Sequence, residues 1–214
     1  MNTAIIFDMD GTLFQTNLIL EPALEATFRV LREEKLWEGA TPIDKYREIM
    51  GTTLPEVWKT LCPHHSAETR ERSNALFHEH LIELIKGQKG ALYDQVEETL
   101  GQLSSKYPLY IASNGQVEYL RAIVEVYQLD RFIENTYSIE LIESGNKSEL
   151  VHLVKAENAM TSGFVVGDRA SDIRAAKDNG LTSIGVSFDF SQESELEQAD
   201  YVVASFAELL AIIK

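Results

Sequence analysis

Asp8 and Asp10 stand one residue apart, after the apolar run Ile5-Ile6-Phe7 and before Gly11-Thr12. Side chains two apart on an extended strand point to the same side. The two carboxylates are therefore expected to share one pocket at the strand's carboxyl end, where open α/β sheets place their ligands. Two carboxylates held close resist joint ionisation unless a cation joins them. The pattern suits a metal site with a spare nucleophile. The plain alternative is an Asp-Gly turn after a short strand.

Three further stretches carry chemistry. Gly167-Asp168-Arg169-Ala170-Ser171-Asp172 is a second acidic pair, with Asp168 expected at a strand tip and Asp172 in the first turn of a helix. A hard cation such as Mg²⁺ takes oxygen ligands. Asp168 suits direct binding, and Asp172 suits orienting a bound water or a neighbouring lysine, or simply favouring a helix amino terminus. Ser113-Asn114-Gly115 falls at a strand-to-helix turn. A hydroxyl with backbone N–H groups there makes an anion site fit for phosphate, or an ordinary N-cap with a turn glycine. Lys147 follows Ser144-Gly145-Asn146 before a helix and offers a compact positive charge for a phosphoryl oxygen or a carboxylate.

The elements that must position these residues can be read from periodicity. After Thr12 the pattern is helical up to about Gly87. Leu24, Phe28 and Leu31, then Phe77, Leu81, Leu84 and Ile85, recur at helical spacing, and Pro42, Gly51, Pro55 and Pro63 divide the block. Gly11-Thr12 and Gly87-Gln88-Lys89-Gly90 bracket it, as expected of an inserted cap that can hinge. Beyond it, strands are predicted at 109–112, 164–166, 183–186 and 201–203. Helices are predicted at 96–103, from Val117 to Tyr127, around 150–154, at 171–179 stopped by Gly180, and at the carboxyl end. Ser205 and Glu208 are read as a capping box for that last helix. Strands alternating with helices mean a parallel sheet covered on both faces. The fold class is thus α/β, a Rossmann-like parallel-sheet core with an inserted helical cap. The expected bounds are 1–14 and 88–214 for the core and 15–87 for the cap.

Length and composition set outer limits. The chain has 214 residues, enough for one full core and a smaller satellite domain. With 19 Lys and Arg against 34 Asp and Glu the formal net charge is -15. That balance argues against a nucleic-acid partner or an anionic membrane surface, and an anionic substrate would need a local positive site. The single cysteine, Cys62, excludes an intrachain disulfide and fits a reducing, cytoplasmic setting. The first apolar stretch breaks at Asp8, too early for a signal peptide, and no run approaches a membrane span.

Taken together, these stretches resemble the haloacid-dehalogenase-like hydrolase superfamily over essentially the whole chain. Asp8-x-Asp10-Gly11-Thr12 matches its first motif, Ser113-Asn114 the second, Lys147 the third, and Gly167-Asp168-x-x-x-Asp172 the fourth. Ala175, Ala176 and Gly180 match the helix after the fourth motif, and the nearest subgroup by pattern contains phosphoglycolate phosphatases and β-phosphoglucomutases. The resemblance implies that Asp8 attacks phosphorus to form an aspartyl-phosphate, and that Asp10 serves as acid and then base. It implies that Ser113 and Lys147 hold phosphoryl oxygens, with Thr12 and Asn114 completing the phosphate site. Mg²⁺ would be bound by Asp8, the Asp10 main-chain carbonyl and Asp168, with Asp172 in support. Dehalogenases of the superfamily lack the second aspartate, so Asp10 argues against carbon–halogen cleavage.

The expected activity is Mg²⁺-dependent hydrolysis of a small phosphorylated metabolite by a monomer or weak homodimer. A phosphomutase of the β-phosphoglucomutase type uses the same core residues. A non-enzymatic phospho-acceptor domain is disfavoured by the helical insert and by the acceptor's place on the first strand. The chain departs from many relatives at Gln15, where they carry aspartate, and at Ser148 and Leu150, where they carry proline. In relatives the cap supplies substrate contacts near an Arg-x-x-x-Gly pattern, which Arg47 and Gly51 match loosely. His64, His65, His78 and His80 are read as cap surface rather than a metal cluster, and Glu193, Glu195 and Glu197 as a solvated face.

Overall fold

The computed structural model describes every residue except Met1, Met50, Gly51, Thr53 and Phe190, and the side chains of Leu54 and Pro55. The chain forms two compact units, Met1–Gln15 with Ala91–Lys214, and Thr16–Gly90.

The first unit is an α/β layer. Its strands are β1 (Thr3–Phe7), β2 (Leu109–Ser113), β3 (Asn135–Ser138), β4 (Ser162–Gly167), β5 (Thr182–Val186) and β6 (Tyr201–Val203). They form one sheet in the order β3-β2-β1-β4-β5-β6, every neighbouring pair parallel. The chain winds outward from β1 through β2 to β3, then crosses back to β4 and winds the other way. The strand order therefore reverses between β1 and β4, the crevice where such sheets hold ligands. Apolar residues on both faces drive β1 to the centre. Ala4 and Ile6 join a cluster with Leu150, Val151, Val154, Ala175 and Ala176, and on the other side Phe7 packs on Phe206 with ring centroids 5.8 Å apart.

The helices of this unit differ in part from the periodicity. Among the described residues, the longer ones are Val96–Ser104, Val117–Val126, Lys147–Glu157 and Ala170–Asp178. The last ends as expected, at a left-handed Gly180 with φ +64°. The expected carboxyl-terminal helix is instead a 3-10 turn, Phe206–Glu208, followed by one short turn, Leu209–Ile212. Its capping box does not form. The Ser205 hydroxyl donates to Glu208 Oε1 at 3.0 Å rather than accepting from the helix. Strand β3 is absent from the sequence reading. It lies at the sheet edge, paired with β2 alone.

The second unit is helical, with α-helices at Asn17–Glu33, Ile43–Ile49, Leu54–Leu61 and Ala67–Lys86. Its core is aromatic. Phe28 meets Trp37 edge-on at 4.8 Å and stacks on Trp58, which meets Phe77. The Trp58 indole donates to Asn74 Oδ1 at 2.8 Å, so its polar edge is satisfied within the core. The Ala67–Lys86 helix closes on Gly87 with φ -78°, and the left-handed residue is Gln88, φ 54°. The chain leaves and re-enters the first unit side by side. Gln15 N–H donates to Ala91 O, Tyr93 N–H donates to Leu13 O, and the Gln15 side-chain amide donates to Leu92 O at 2.7 Å. Gln15, where many relatives carry aspartate, here ties the two crossings together.

His78 is buried in this unit, and burial pushes its imidazole from the usual value near 6.5 down to about 4. The folded chain therefore keeps it neutral while the unfolded chain takes up a proton below pH ~6.5. More protons on the unfolded state mean that stability falls as pH drops from ~6.5 toward ~4. This site alone would cost on the order of 3 kcal/mol at the lower end. A His78→Gln variant should lose less stability than the parent chain between pH 6.5 and 4 in denaturant titrations. Parallel pH profiles would contradict this. His80 Nδ1 lies 3.6 Å from Glu83 Oε2, and among the described residues no histidine falls in a group of three or more potential metal ligands.

Candidate active site

Strand β1 stops at Phe7, and the chain curls at once. The N–H groups of Thr12, Leu13 and Phe14 all donate to Met9 O, at 3.3, 2.9 and 2.9 Å. The strand therefore gives way to a turn at Met9, and Asp10 remains near enough for its charge to act on Asp8. Asp8 turns toward Lys147, Asp168 and Asp172, while Asp10 turns toward Tyr119. The Tyr119 hydroxyl donates to Asp10 Oδ1 at 2.5 Å.

Asp8, Asp168 and Asp172 are all buried, and one carboxylate oxygen from each lies within 4.8 Å of the others. Lys147, itself buried, sets its Nζ 2.6 Å from Asp8 Oδ1 and 2.5 Å from Asp172 Oδ1. Three buried carboxylates and one ammonium leave a net negative centre that a further cation would neutralise. Burial raises the Asp8 carboxyl to about 7. Lys147 works against that rise, and Asp172 and Asp10 add to it. Burial and the Asp8 and Asp172 charges hold Asp168 well above the ordinary carboxylate range. Burial disfavours the Lys147 ammonium, but Asp172 and Asp8 outweigh it and keep its pKa above the usual lysine value. An all-oxygen, buried, under-neutralised cluster is the donor set that a hard divalent cation requires.

Glycines permit the close approach. Gly11 has φ +76°, and a Cβ there would lie 2.5 Å from Asp168 Oδ2. A Cβ on Gly167 would lie 2.2 Å from Asp172 Cγ. Asp172 is also held by the Arg169 N–H, which donates to Oδ2 at 3.1 Å. The Thr12 hydroxyl is fully buried and donates to Asp168 Oδ1 at 3.4 Å, so it steadies that carboxylate.

Ser113 ends β2 opposite Ser138 of β3. Its hydroxyl accepts from Gly115 N–H at 3.1 Å, and the Ser138 hydroxyl donates to Gly115 O at 2.6 Å, which fixes the Ser113-Asn114-Gly115 loop. The following helix start is less open to an anion than its sequence suggests, because Val117 N–H already donates to Glu140 Oε2 at 2.8 Å. Arg47 belongs to the helical unit, where it pairs with Glu21 at 3.5 Å and Asp44 at 3.9 Å. Gly51 lies outside the described residues. Glu195, read from sequence as solvated, is half-buried. It pairs with Arg169 at 3.0 Å and accepts from Ala170 N–H at 2.9 Å, at the start of the Asp172 helix. Tyr119 was invisible for the opposite reason, since an aromatic residue on an amphipathic helix reads as core.

An open pocket of about 670 Å³ is lined by Gln15, Tyr93, Phe188 and Asp189, among others, and none of the three clustered aspartates lines it. Tyr93 stacks on Phe188 with centroids 4.6 Å apart and donates to Asp189 Oδ2 at 3.2 Å. Burial and the Asp189, Asp168 and Asp10 charges raise its phenol far above the usual value.

A parallel sheet with its acidic cluster at the switch-point crevice, a lysine across it and a helical insert after the first strand define a Rossmann-like α/β fold with a carboxylate-rich site. The chain belongs to the haloacid dehalogenase-like hydrolase family, whose sequence model matches residues 5–186. It is 25% identical over 228 residues to the pyrophosphatase PpaX of Listeria monocytogenes, covering 99% of this chain and 96% of that one. Among solved structures, a haloacid dehalogenase-like family hydrolase from Streptococcus pneumoniae superposes with a TM-score of 0.82 at 22% identity, covering 100% and 99% of the two chains. CbbY from Rhodobacter sphaeroides in complex with phosphate superposes at 0.81 with 21% identity, covering 98% and 96%. No described helix is long and apolar enough to cross a membrane.

Proposed function

We propose that the protein hydrolyses a small phosphorylated metabolite through a covalent aspartyl-phosphate on Asp8. The observation that carries this is the buried Asp8 carboxylate, gripped by Lys147 at 2.6 Å with Asp10 two residues on. Two relatives support it by name or content, a pyrophosphatase and a protein crystallised with phosphate. In the first half-reaction an Asp8 carboxylate oxygen bonds to phosphorus. The bond from phosphorus to the leaving oxygen breaks, and Asp10 gives that oxygen a proton. In the second, Asp10 takes a proton from water, the water oxygen bonds to phosphorus, and Asp8 is released with inorganic phosphate. Lys147 and Ser113 would offset charge on the phosphoryl oxygens, and the pocket at Tyr93 and Phe188 gives room for the rest of the substrate. Arg47 and Gly51 are the proposed contributions of the helical unit to substrate choice.

Asp8, Asp168 and the Asp10 main-chain carbonyl would hold Mg²⁺, with Asp172, already engaged by Lys147 and the Arg169 N–H, in support. Bound there, the ion would supply positive charge to the phosphoryl group and relieve repulsion among the carboxylates. Activity is accordingly expected to vanish in excess chelator and return with Mg²⁺. Asp168→Ala should raise the Mg²⁺ concentration for half-maximal rate by at least about tenfold. An unchanged requirement would remove Asp168 from the metal site.

The test of the function is a phosphate-release screen across phosphorylated sugars, nucleotides, glycolate phosphate and pyrophosphate. Release from at least one of them, abolished by chelator, is the expected result. Isomerised phosphate ester without bulk phosphate would favour a mutase instead. A stable phospho-protein without turnover would favour a phospho-acceptor role. The reading also places the protein in the cytoplasm, as the single cysteine suggests.

A further inference from the structure

We infer that Tyr119 is a positioning residue that sets the direction of the Asp10 carboxylate and so couples Asp10 to both proton transfers. The inference rests on the proposed acid–base role of Asp10.

Asp10 sits just past the end of β1, in a chain that has already turned away from the strand. Backbone geometry there does not by itself fix the carboxylate plane, since χ2 of Asp is a soft, roughly two-fold torsion. The hydrogen bond from the Tyr119 hydroxyl to Oδ1, at 2.5 Å, fixes it. With Oδ1 held, the direction of Oδ2 is set as well. The donor is itself rigid. Tyr119 is 4% exposed and lies in the first turn of the helix Val117–Val126. Its ring packs so closely on Gly115 that a Cβ there would lie 3.0 Å from Tyr119 Cδ1. Gly115 is in turn pinned to Ser113 and Ser138. The loop that carries the proposed phosphate contact Ser113 therefore also sets the ring that aims Asp10. One rigid segment ties the phosphoryl position to the proton donor, and angular errors of 10–20° in such groups are costly.

The two aspartates are held by different kinds of donor. Asp8 is gripped by an ammonium, which opposes the rise that burial imposes on its carboxyl, whereas Asp10 is held by a neutral phenol, which orients it without adding a fixed positive charge.

The test uses the full chain with Mg²⁺ and compares Tyr119→Phe with the parent on an alkyl phosphate and on nitrophenyl phosphate. The alkoxide needs a proton to leave, and nitrophenolate hardly does. Acid-quenched mass analysis reads phosphorylation of Asp8, and a chase reads its decay. Tyr119→Phe should slow phosphorylation by the alkyl ester about tenfold and slow decay of the aspartyl-phosphate similarly. Phosphorylation by nitrophenyl phosphate should stay within about twofold of the parent, and the Mg²⁺ requirement should not move. Gly115→Ala, whose Cβ would meet Leu120 Cδ2 at 2.9 Å and the Tyr119 ring at 3.0 Å, should show the same split between the two esters and serves if the first variant is unstable. A uniform loss on both esters, or parental rates on both, would overturn the positioning role. If the parent chain itself shows no label on Asp8, the proposed function fails, and this inference with it.

Discussion

Asp8→Asn is expected to lower turnover by at least about a thousandfold, because no covalent intermediate can form without the carboxylate. The same change should leave the fold intact. Asn matches Asp in shape, and the site it enters already holds Asp168 and Asp172 around the single ammonium of Lys147. Removing one of three crowded carboxylates relieves repulsion, so metal-free Asp8→Asn protein should melt no lower than the parent, and higher if relief exceeds the lost Lys147 contact. Activity and melting temperature measured on the same preparation check both halves. Retained turnover would remove Asp8 as nucleophile. A large drop in melting temperature would mean that its contact with Lys147 is needed for folding.

Lys147→Met is the second change of large effect, and here stability and activity should fall together. Met keeps most of the buried stem and removes the ammonium together with its contacts to Asp8 and Asp172. Without the ammonium, Asp8, Asp168 and Asp172 remain buried within 4.8 Å of one another, with only the weaker influence of the Arg169 charge on Asp168. Breaking a buried pair in this way typically costs about 3–5 kcal/mol. The metal-free variant should therefore unfold at clearly lower denaturant than the parent. Excess Mg²⁺ should recover part of that loss, because an ion that binds only the folded state stabilises it. Turnover should stay roughly a hundred- to a thousandfold down even at saturating Mg²⁺, as when a fixed group facing developing charge is lost. Equal stability of variant and parent without metal would show that the cluster is not electrostatically strained as described.

The parts of this arrangement visible in the sequence are those that local pattern determines. The apolar runs at β1, β2, β4 and β5 must be buried strands, and the helical periodicity from after Thr12 to about Gly87 is matched by helices with no strand among the described residues. The acidic pairs are legible because each ends such a run. What was hidden depends on contacts far along the chain. Asn135-Thr136-Tyr137-Ser138 is polar and carries no strand pattern; it becomes β3 because the edge of β2 offers a partner. The Met9 carbonyl draws three N–H groups into a turn that begins as the strand ends, a local bend that strict strand alternation does not foresee. Tyr119 reaches Asp10 across 109 residues of sequence, and Glu195 reaches Arg169 from a stretch that looks like a solvated acidic face. In β3, Tyr119 and Glu195 a polar group found its partner through topology, and topology is what residue spacing leaves open.

The central claim is that Asp8 becomes covalently phosphorylated, and the direct measurement is the mass of acid-quenched protein after a brief reaction with nitrophenyl phosphate. Asp10→Asn is the variant to use. Its nucleophile is intact and nitrophenolate needs no proton to leave, so the label should form, but the base that activates water is missing and the label should persist. The expected result is one added phosphoryl group on Asp8 in Asp10→Asn, fleeting in the parent chain and absent in Asp8→Asn. A label on another residue, or normal turnover of Asp10→Asn with no label at all, would contradict the account.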